Sequence, residues 1–413
     1  MSSRSPTRRE LAAALAPAYV SVFLFVAGSA MLQVLVPVYL AREARLGPAV
    51  IGAVIGAFAI ASLAARLPVG LAYSAARGRL FLLAGGALSA AAFAAIPFVD
   101  SAGVLTVLIA LNGLGWSIAT TAQLALLVAR PPAGISTAAA MGWFSGATGL
   151  GNVAAVLGGV SADLVGLRTT FFLLAATPLI AAALMARRVG ALAASEAEPV
   201  AARTPLRSLV RMPLAVWAGV LVMFFINGLN AITNTFQPLL ALGAGLSLTQ
   251  IGALSSIRSW ASSSSRFGSG PLFQRFDAAG LTLPLVVVGT LATCLIPSVI
   301  GSFALQVPLF LLAGVSRGLL RVTGSAEAFD AAGRDERRHG VTSALLYAGL
   351  DLGKIVAPIV GGLVAGAWGI ATMLRVVPLG FLVLYLALAI PARRAVRTAP
   401  EPGNVGAWTS RAR

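Results

Sequence analysis

The chain writes one stretch twice. IGAVIGAFAIASLAARLPVG, Ile51–Gly70, returns 200 residues later as IGALSSIRSWASSSSRFGSG, Ile251–Gly270, with seven of twenty positions identical and no gap. Ala and Gly are too common in this chain to weigh heavily. The informative matches are Ile51/Ile251, Ser62/Ser262 and Arg66/Arg266. Each copy is an apolar run of helical length that ends at an Arg, then a Gly, then a short charged turn. A repeat of about half the chain length predicts two similar helical bundles facing each other across a central site.

Composition sets the medium. Of 413 residues, 58% are hydrophobic and only 10% are charged, and the mean hydropathy is +0.91. Soluble domains carry about 25% charged residues. Apolar runs long enough to cross a bilayer recur throughout, which predicts an all-α membrane protein. The short alternating segments of a membrane β-barrel do not occur. A net charge of +17 invites a nucleic-acid reading, but the Arg residues lie between apolar runs, where membrane orientation requires them. No nucleic-acid partner is expected. Cys294, the single cysteine, permits no internal disulfide. The first apolar run is long enough to span and lacks a small-residue cleavage pattern after it. It is expected to be retained as a helix.

Twelve spans are expected, at Ala16–Ala41, Pro48–Tyr73, Leu80–Val99, Gly103–Val128, Ala138–Leu164 and Thr170–Ala186, then Pro213–Leu242, Leu248–Phe273, Gly280–Ile300, Phe303–Ala326, Val341–Ala367 and Ile370–Ile390. Residues 1–186 form a first six-helix bundle and 213–390 a second. Residues 187–212, with five Arg, two Glu and two Pro, read as the linker. Phe329–Gly340 reads as a mixed-charge loop holding the only His, His339, and 391–413 as a disordered tail. The turns on the side of both chain ends hold 20 Arg; the opposite turns hold Arg42, Arg45 and Arg168. That asymmetry predicts cytoplasmic termini in the plasma (cytoplasmic) membrane.

Twelve helices in two sixes, joined by a polar linker and carrying a repeated end to the second span, resemble the major facilitator superfamily. The resemblance covers almost the whole chain. The family's motif after the second span is Gly-x-x-x-Asp-Arg-x-Gly-Arg-Arg. Here Gly70 is present, Ser74 stands at the Asp position, and Arg77-Gly78-Arg79 supplies the basic end one position out of register. The second copy has Gly270, Gln274 for the Asp, and Arg275. Neither copy can form the family's carboxylate-based cytoplasmic latch. Of the antiporters' Gly-Pro-x-x-Gly-Gly element the fifth span keeps Gly158-Gly159, but Ala154-Ala155 replaces the Gly-Pro. The eleventh span has a closer version, Ala357-Pro358-Ile359-Val360-Gly361-Gly362. Gly158–Phe172 also looks like the family's connection between spans 5 and 6. Small residues and Pro358 serve either helix packing or bending. In the fourth span Asn112-Gly113 remains of a family motif, but Ile109 fills the position of its Arg.

Ionisable residues near span centres fall in the second half: Arg258, Arg317, Arg321, Asp351 and Lys354. A charge at the bilayer centre costs at least ~2.5–3.5 kcal/mol, so such residues face a bundle interior or a wet cavity. Lys354 is the only lysine, and a buried lysine can lose its proton where an arginine cannot. Asp351 and Lys354, three apart, share a helix face. They form either a neutralised structural pair or a proton-carrying, solute-binding pair. Arg317 and Arg321 share another face. The resemblance implies that Arg317 looks into the cavity, while Arg321 lies nearer its mouth and can snorkel. Arg66 and Arg266 read as membrane-edge residues. Asn227, Asn230 and Asn234 line one face of the seventh span, either for interhelical hydrogen bonds or as a polar wall for solute. Gln33, Asn112, Gln123 and Asn152 are the comparable residues of the first half.

The resemblance implies a secondary transporter that rocks two halves about a midplane site, a monomer with no cofactor or metal. Four central cations against one carboxylate favour an anionic or zwitterionic solute. The leading expectation is proton-coupled efflux of a small amphipathic compound. Protons would couple at Asp351 with Lys354. Arg317, Arg258, Arg321, Asn227, Asn230, Asn234 and Asn112 would bind solute. Gating would fall to Gly70, Arg77, Arg79, Gly270, Arg275 and Pro358. Alternatives are an uptake permease for a sugar or organic acid, and a non-transporting sensor of the same fold. No nucleotide-binding P-loop or Ser/His/Asp or metal-ligand cluster appears, so neither an ATP-driven pump nor an enzyme is expected.

Overall fold

The structure, a computed structural model, describes residues 8–72, 74, 77–129, 137–192, 212–276, 278–332 and 336–398. Seven helices form the first half: α1 (Arg8–Arg42), α2 (Pro48–Ala72), α3 (Gly78–Ala95), α4 (Ala102–Leu124), α5 (Thr137–Val153), α6 (Ala155–Val165) and α7 (Leu167–Leu192). Seven form the second: α8 (Leu214–Gly243), α9 (Leu248–Phe267), α10 (Ser269–Arg275), α11 (Ala278–Leu295), α12 (Phe303–Ala332), α13 (Glu336–Trp368) and α14 (Ile370–Thr398). α5 and α6 make one span, and α10 extends α9 past a break at Gly268, so the protein is a twelve-span bundle in two sixes. Helices dominate because in lipid each backbone N–H and C=O must find its partner within the segment.

Eleven of the spans are long and apolar enough to cross a membrane. The other, α9, carries seven serines and two arginines. It can do so because it is an interior helix, packed on α12 on one side and on α5 and α6 of the first half on the other. Its start is well defined. Ser247 accepts from the Gln250 N–H while the Gln250 side chain accepts from the Ser247 N–H, a reciprocal capping box.

The 200-residue repeat extends beyond the two copies first read. Ile96-Pro97 and Ile296-Pro297 both open 3₁₀ turns that end α3 and α11. Gly113 of α4 lies against the Phe58 backbone, and Gly314 of α12 lies against the Arg258 backbone. Within each half the packing follows: α2 on α4, α3 on α4 and α7, and α1 on α5 and α7; then α9 on α12, α11 on α12 and α14, and α8 on α13 and α14.

Two expected connections differ from the structure. Within the expected loop 329–340, residues 329–332 are the end of α12 and 336–340 the start of α13, while 333–335 lie outside the described residues. The helix also runs past Pro391 to Thr398. Ala and Arg are strong helix formers, and Arg near a helix C-terminus is favoured by its dipole. The turn Arg130–Ile135, Tyr73, linker residues 193–211 and tail residues 399–413 lie outside the described residues.

The halves meet along three seams, α2 with α13, α5 and α6 with α9, and α1 with α8. Towards the face opposite the chain ends the approach is close. Gly52 sits on the Pro358 carbonyl, Gly362 on Pro48, Gly159 on Leu248, and Gly252 on Ala155 and Val156. At each point a Cβ would collide with backbone, so glycine sets the helix separation. The Asp163 carboxylate adds a cross-half cap on α9. It accepts from Leu248 N–H (3.3 Å), Thr249 N–H (2.8 Å) and the Thr249 hydroxyl (2.7 Å). Towards the chain ends, nothing lies within 4 Å of a Cβ built on Gly70, Gly142, Gly146 or Gly270. The close glycine contacts between the halves thus lie towards the face opposite the chain ends.

The break at Ala154 is stitched from the other half. The Ser256 hydroxyl donates to the Val153 carbonyl (2.6 Å) and accepts from the Val156 N–H (2.9 Å). A single side chain thus satisfies the two backbone groups that an interrupted helix would strand in lipid.

Candidate functional site

A cavity of about 120 Å³ lies between the halves, midway along the helices. The first half contributes an apolar wall of Leu32, Val36, Ile55, Phe58 and Ile109, relieved by Gln33 and Asn112. The second half contributes Asn230, Asn234 and Thr235 of α8, with Lys354 and Pro358 of α13. One side is largely apolar and the other polar.

Helix geometry separates Asp351 from Lys354. Residues three apart on a helix point about 60° away from each other. Lys354 turns into the cavity, whereas Asp351 turns to α2 and pairs with Arg66 at 3.5 Å. The expected Asp351–Lys354 pair is therefore not the ion pair that forms. Arg66, expected at the membrane edge, instead ties the halves together; its side chain is 36% exposed and that of Asp351 is 7%. Among the described residues the Arg266 side chain bonds only within its own helix, to the Ser262 carbonyl and the Ser263 hydroxyl.

The three asparagines of α8 divide by role. Asn227 is buried and donates to the Leu350 carbonyl at 2.9 Å, an interhelical bond away from the cavity. Asn230 borders the cavity directly. Asn234 makes a relay: its Oδ1 accepts from Arg258, and its Nδ2 donates to Gln33 Oε1 (3.3 Å) on the first half. Gln237 turns aside to Gln306 (3.0 Å).

A smaller cavity lies inside the second half, among α8, α9, α11 and α12. Arg258 and Arg317 line it, and Asn230 borders both cavities. Arg258 is only 4% exposed, and its guanidinium carbon lies 5.5 Å from the centre of the Phe310 ring. Arg321, one turn beyond Arg317, lines neither cavity.

The residues assigned to gating fall into two groups. Arg77, Arg79 and Arg275 are exposed, and Arg77 reaches only the Ala72 carbonyl (3.5 Å) of its own turn. Gly70 and Gly270 border open space. Pro358 alone stands at a contact between halves, against Gly52, and also borders the cavity.

Two bundles related by an internal repeat, closing around an amphipathic cavity, fit a family model described as Major Facilitator Superfamily, which matches residues 18–342. The chain belongs to this superfamily. Solved structures agree in fold. The nucleoside transporter NupG aligns with a TM-score of 0.76 at 16% identity, covering 93% of this chain and 99% of that one. A bacterial homologue of the human lysosomal transporter Spinster, in an inward-facing and unoccupied conformation, aligns at 0.74 and 15% identity, covering 94% and 98%. Its inward-facing, occupied form aligns at 0.72 and 18%, covering 95% and 98%. No curated protein matches the chain.

For a superfamily member, three residues take on weight that sequence reasoning did not give them. Asp163 and Ser256 join the halves, and Arg66 holds Asp351. Asp163 left a trace in sequence as the only acid between Asp100 and Glu196, placed at a span end. Ser256 left none, because α9 is full of serines.

Proposed function

We propose that this superfamily member is a secondary active transporter that moves a small amphipathic or anionic solute by alternating access, in the direction of efflux and in exchange for protons. The observation that supports this reading is a charge imbalance. Arg258, Arg317 and Lys354 line the two cavities, yet among the described residues none lies within ion-pair distance of a carboxylate, and Asp351 is taken by Arg66. Buried charge without a partner is costly, and an anionic solute offsets that cost. Asp351 is the proton site: protonation removes its charge, and with it the attraction to Arg66 that ties α2 to α13. Lys354 faces the solute beside it. The working units are residues 1–186 and 213–390, joined by 187–212, with 391–413 as the tail and both termini in the cytoplasm. The unit of transport is the monomer.

The test is proton flux in proteoliposomes with a panel of organic anions, sugars and amphipathic drugs, for wild type and Asp351→Asn. Solute-driven proton movement that the substitution abolishes, while solute exchange continues, supports the reading. Proton flux that persists in Asp351→Asn removes Asp351 from the mechanism. An inert panel favours the sensor reading, and accumulation of a sugar with protons favours uptake.

A further inference from the structure

The small cavity inside the second half is chemically unlike the central one. Its hydroxyls already donate to backbone: Thr233 to Leu229, Thr293 to Gly289 and Ser316 to Leu285. The N–H donors that remain facing it belong to Arg258, Arg317 and Asn230. A guanidinium carries five N–H donors. Arg258 places one on Asn234, and its buried Nε has no partner. Among the described residues no carboxylate lies within ion-pair distance of Arg258 or Arg317. The nearest aromatic face, Phe310, eases one charge but fills no N–H.

Two arginines therefore converge, with unfilled donors, on an otherwise apolar recess whose other walls include Phe225 and Leu229. Water would fill the donors but would not neutralise two like charges lining one recess. An oxyanion does both, and guanidinium forks match its geometry. The recess holds about 20 Å³ of free space, the scale of one or two waters, so it can take the oxygens of a head group and not a whole solute. Asn230 borders both this recess and the central cavity, whose first-half wall is largely apolar.

We propose that the Arg258–Arg317 recess is a subsite for a single oxyanion group, carboxylate or phosphate, of a solute whose apolar body lies in the central cavity against Phe58, Val36 and Ile109. This rests on the transport reading for its purpose but not for its test. The anion would also compete with Asn234 for Arg258, loosening the relay to Gln33 across the halves.

The experiment is equilibrium binding to the full-length purified protein in nanodiscs, read by ligand-induced thermal stabilisation. The probes are hexyl phosphate, hexanoate, hexanol, hexylammonium and inorganic phosphate. Hexyl phosphate or hexanoate should bind at least about tenfold more tightly than hexanol or hexylammonium, because the charged head meets paired arginines. The choice between the two anions identifies the head group. Arg317→Gln should weaken the preferred anion at least about tenfold and leave hexanol unchanged, since only the charged contact is lost. Arg317→Lys, which keeps the charge, should fall between. Arg321→Gln, which removes an equal charge outside the recess, should cost less than about threefold. Hexanol binding as tightly as the anions, or equal losses in Arg317→Gln and Arg321→Gln, would overturn the subsite. Anion binding that follows this pattern without flux in proteoliposomes would leave the subsite standing and sink transport.

Discussion

The two copies of the repeat, Ile51–Gly70 in α2 and Ile251–Gly270 reaching from α9 into α10, keep the same scaffold and carry different chemistry. Gly52 and Gly252 do the same work: each lets its helix press against the backbone of the opposite half. Phe58 and Arg258 share a backbone environment, each resting on a glycine two spans later, Gly113 or Gly314. Their side chains diverge completely. Phe58 lines the apolar wall beside Trp116, while Arg258 is buried under Phe310 and bonded to Asn234. Gly56 meets Ile359 by contact alone, whereas Ser256 stitches the break at Ala154. Arg66 reaches across to Asp351, and Arg266 stays on its own helix. Contacts made by backbone and glycine are shared between the copies, and those made by side chains are not. The copies stay alike where helix backbones approach closely, and differ in the side chains that line a cavity or stitch the halves together.

Erasing this difference should produce the largest effects. Phe58→Arg puts an unpaired guanidinium in the apolar wall, where its insertion costs about 3 kcal/mol or more. The variant should fail to give a monodisperse peak in size-exclusion chromatography, and normal recovery would show that the first-half wall is wetter than its lining implies. The reverse change, Arg258→Phe, should fold but lose anion binding at least about tenfold, measured by the same thermal shifts.

The cross-half ion pair comes next. A double-mutant cycle of Arg66→Gln and Asp351→Asn on thermal stability should give a coupling of about 1–3 kcal/mol. A coupling near zero would reduce the pair to a chance approach at 3.5 Å. Ser256→Ala should cost about 1–3 kcal/mol, because the Val153 carbonyl and Val156 N–H are left unpaired. Removing the Asp163 cap by Asp163→Ala should cost about 1 kcal/mol. It should also loosen the tightly packed face. In a Cys294→Ala background, a cysteine at Asn112 should react faster with an impermeant maleimide added from that face. Arg266→Gln should change stability by no more than about 0.5 kcal/mol, since its partners lie on its own helix. A loss equal to that of Arg66→Gln would erase the contrast between the copies.

Much of the architecture was legible in the chain. Span positions follow from apolar length, and most helices begin or end within a few residues of expectation, as α2 does at Pro48 and α8 at Gly243. The failures lie where hydropathy stops informing: residues 329–332 and 336–340 are helical because Ala, Glu and Arg favour it, whatever their charge. The buried cations were legible as candidates, since charge within a span demands a reason. Their partners were not. Asn227 and Asn234 lie two turns apart on one face, yet one bonds to Leu350 and the other bridges Arg258 and Gln33.

By itself the sequence determined the medium, the helices, the twofold repeat and the short list of residues too costly to bury idly. Each is set by local composition and by the length of apolar runs. Only the tertiary structure decided that Asp351 belongs to Arg66, that Lys354 faces the cavity alone, and that Arg258 and Arg317 share a separate recess. Those outcomes depend on how each helix is rotated and on which half it docks against. Glycine contacts between segments far apart in the chain fix both, and no local pattern records them.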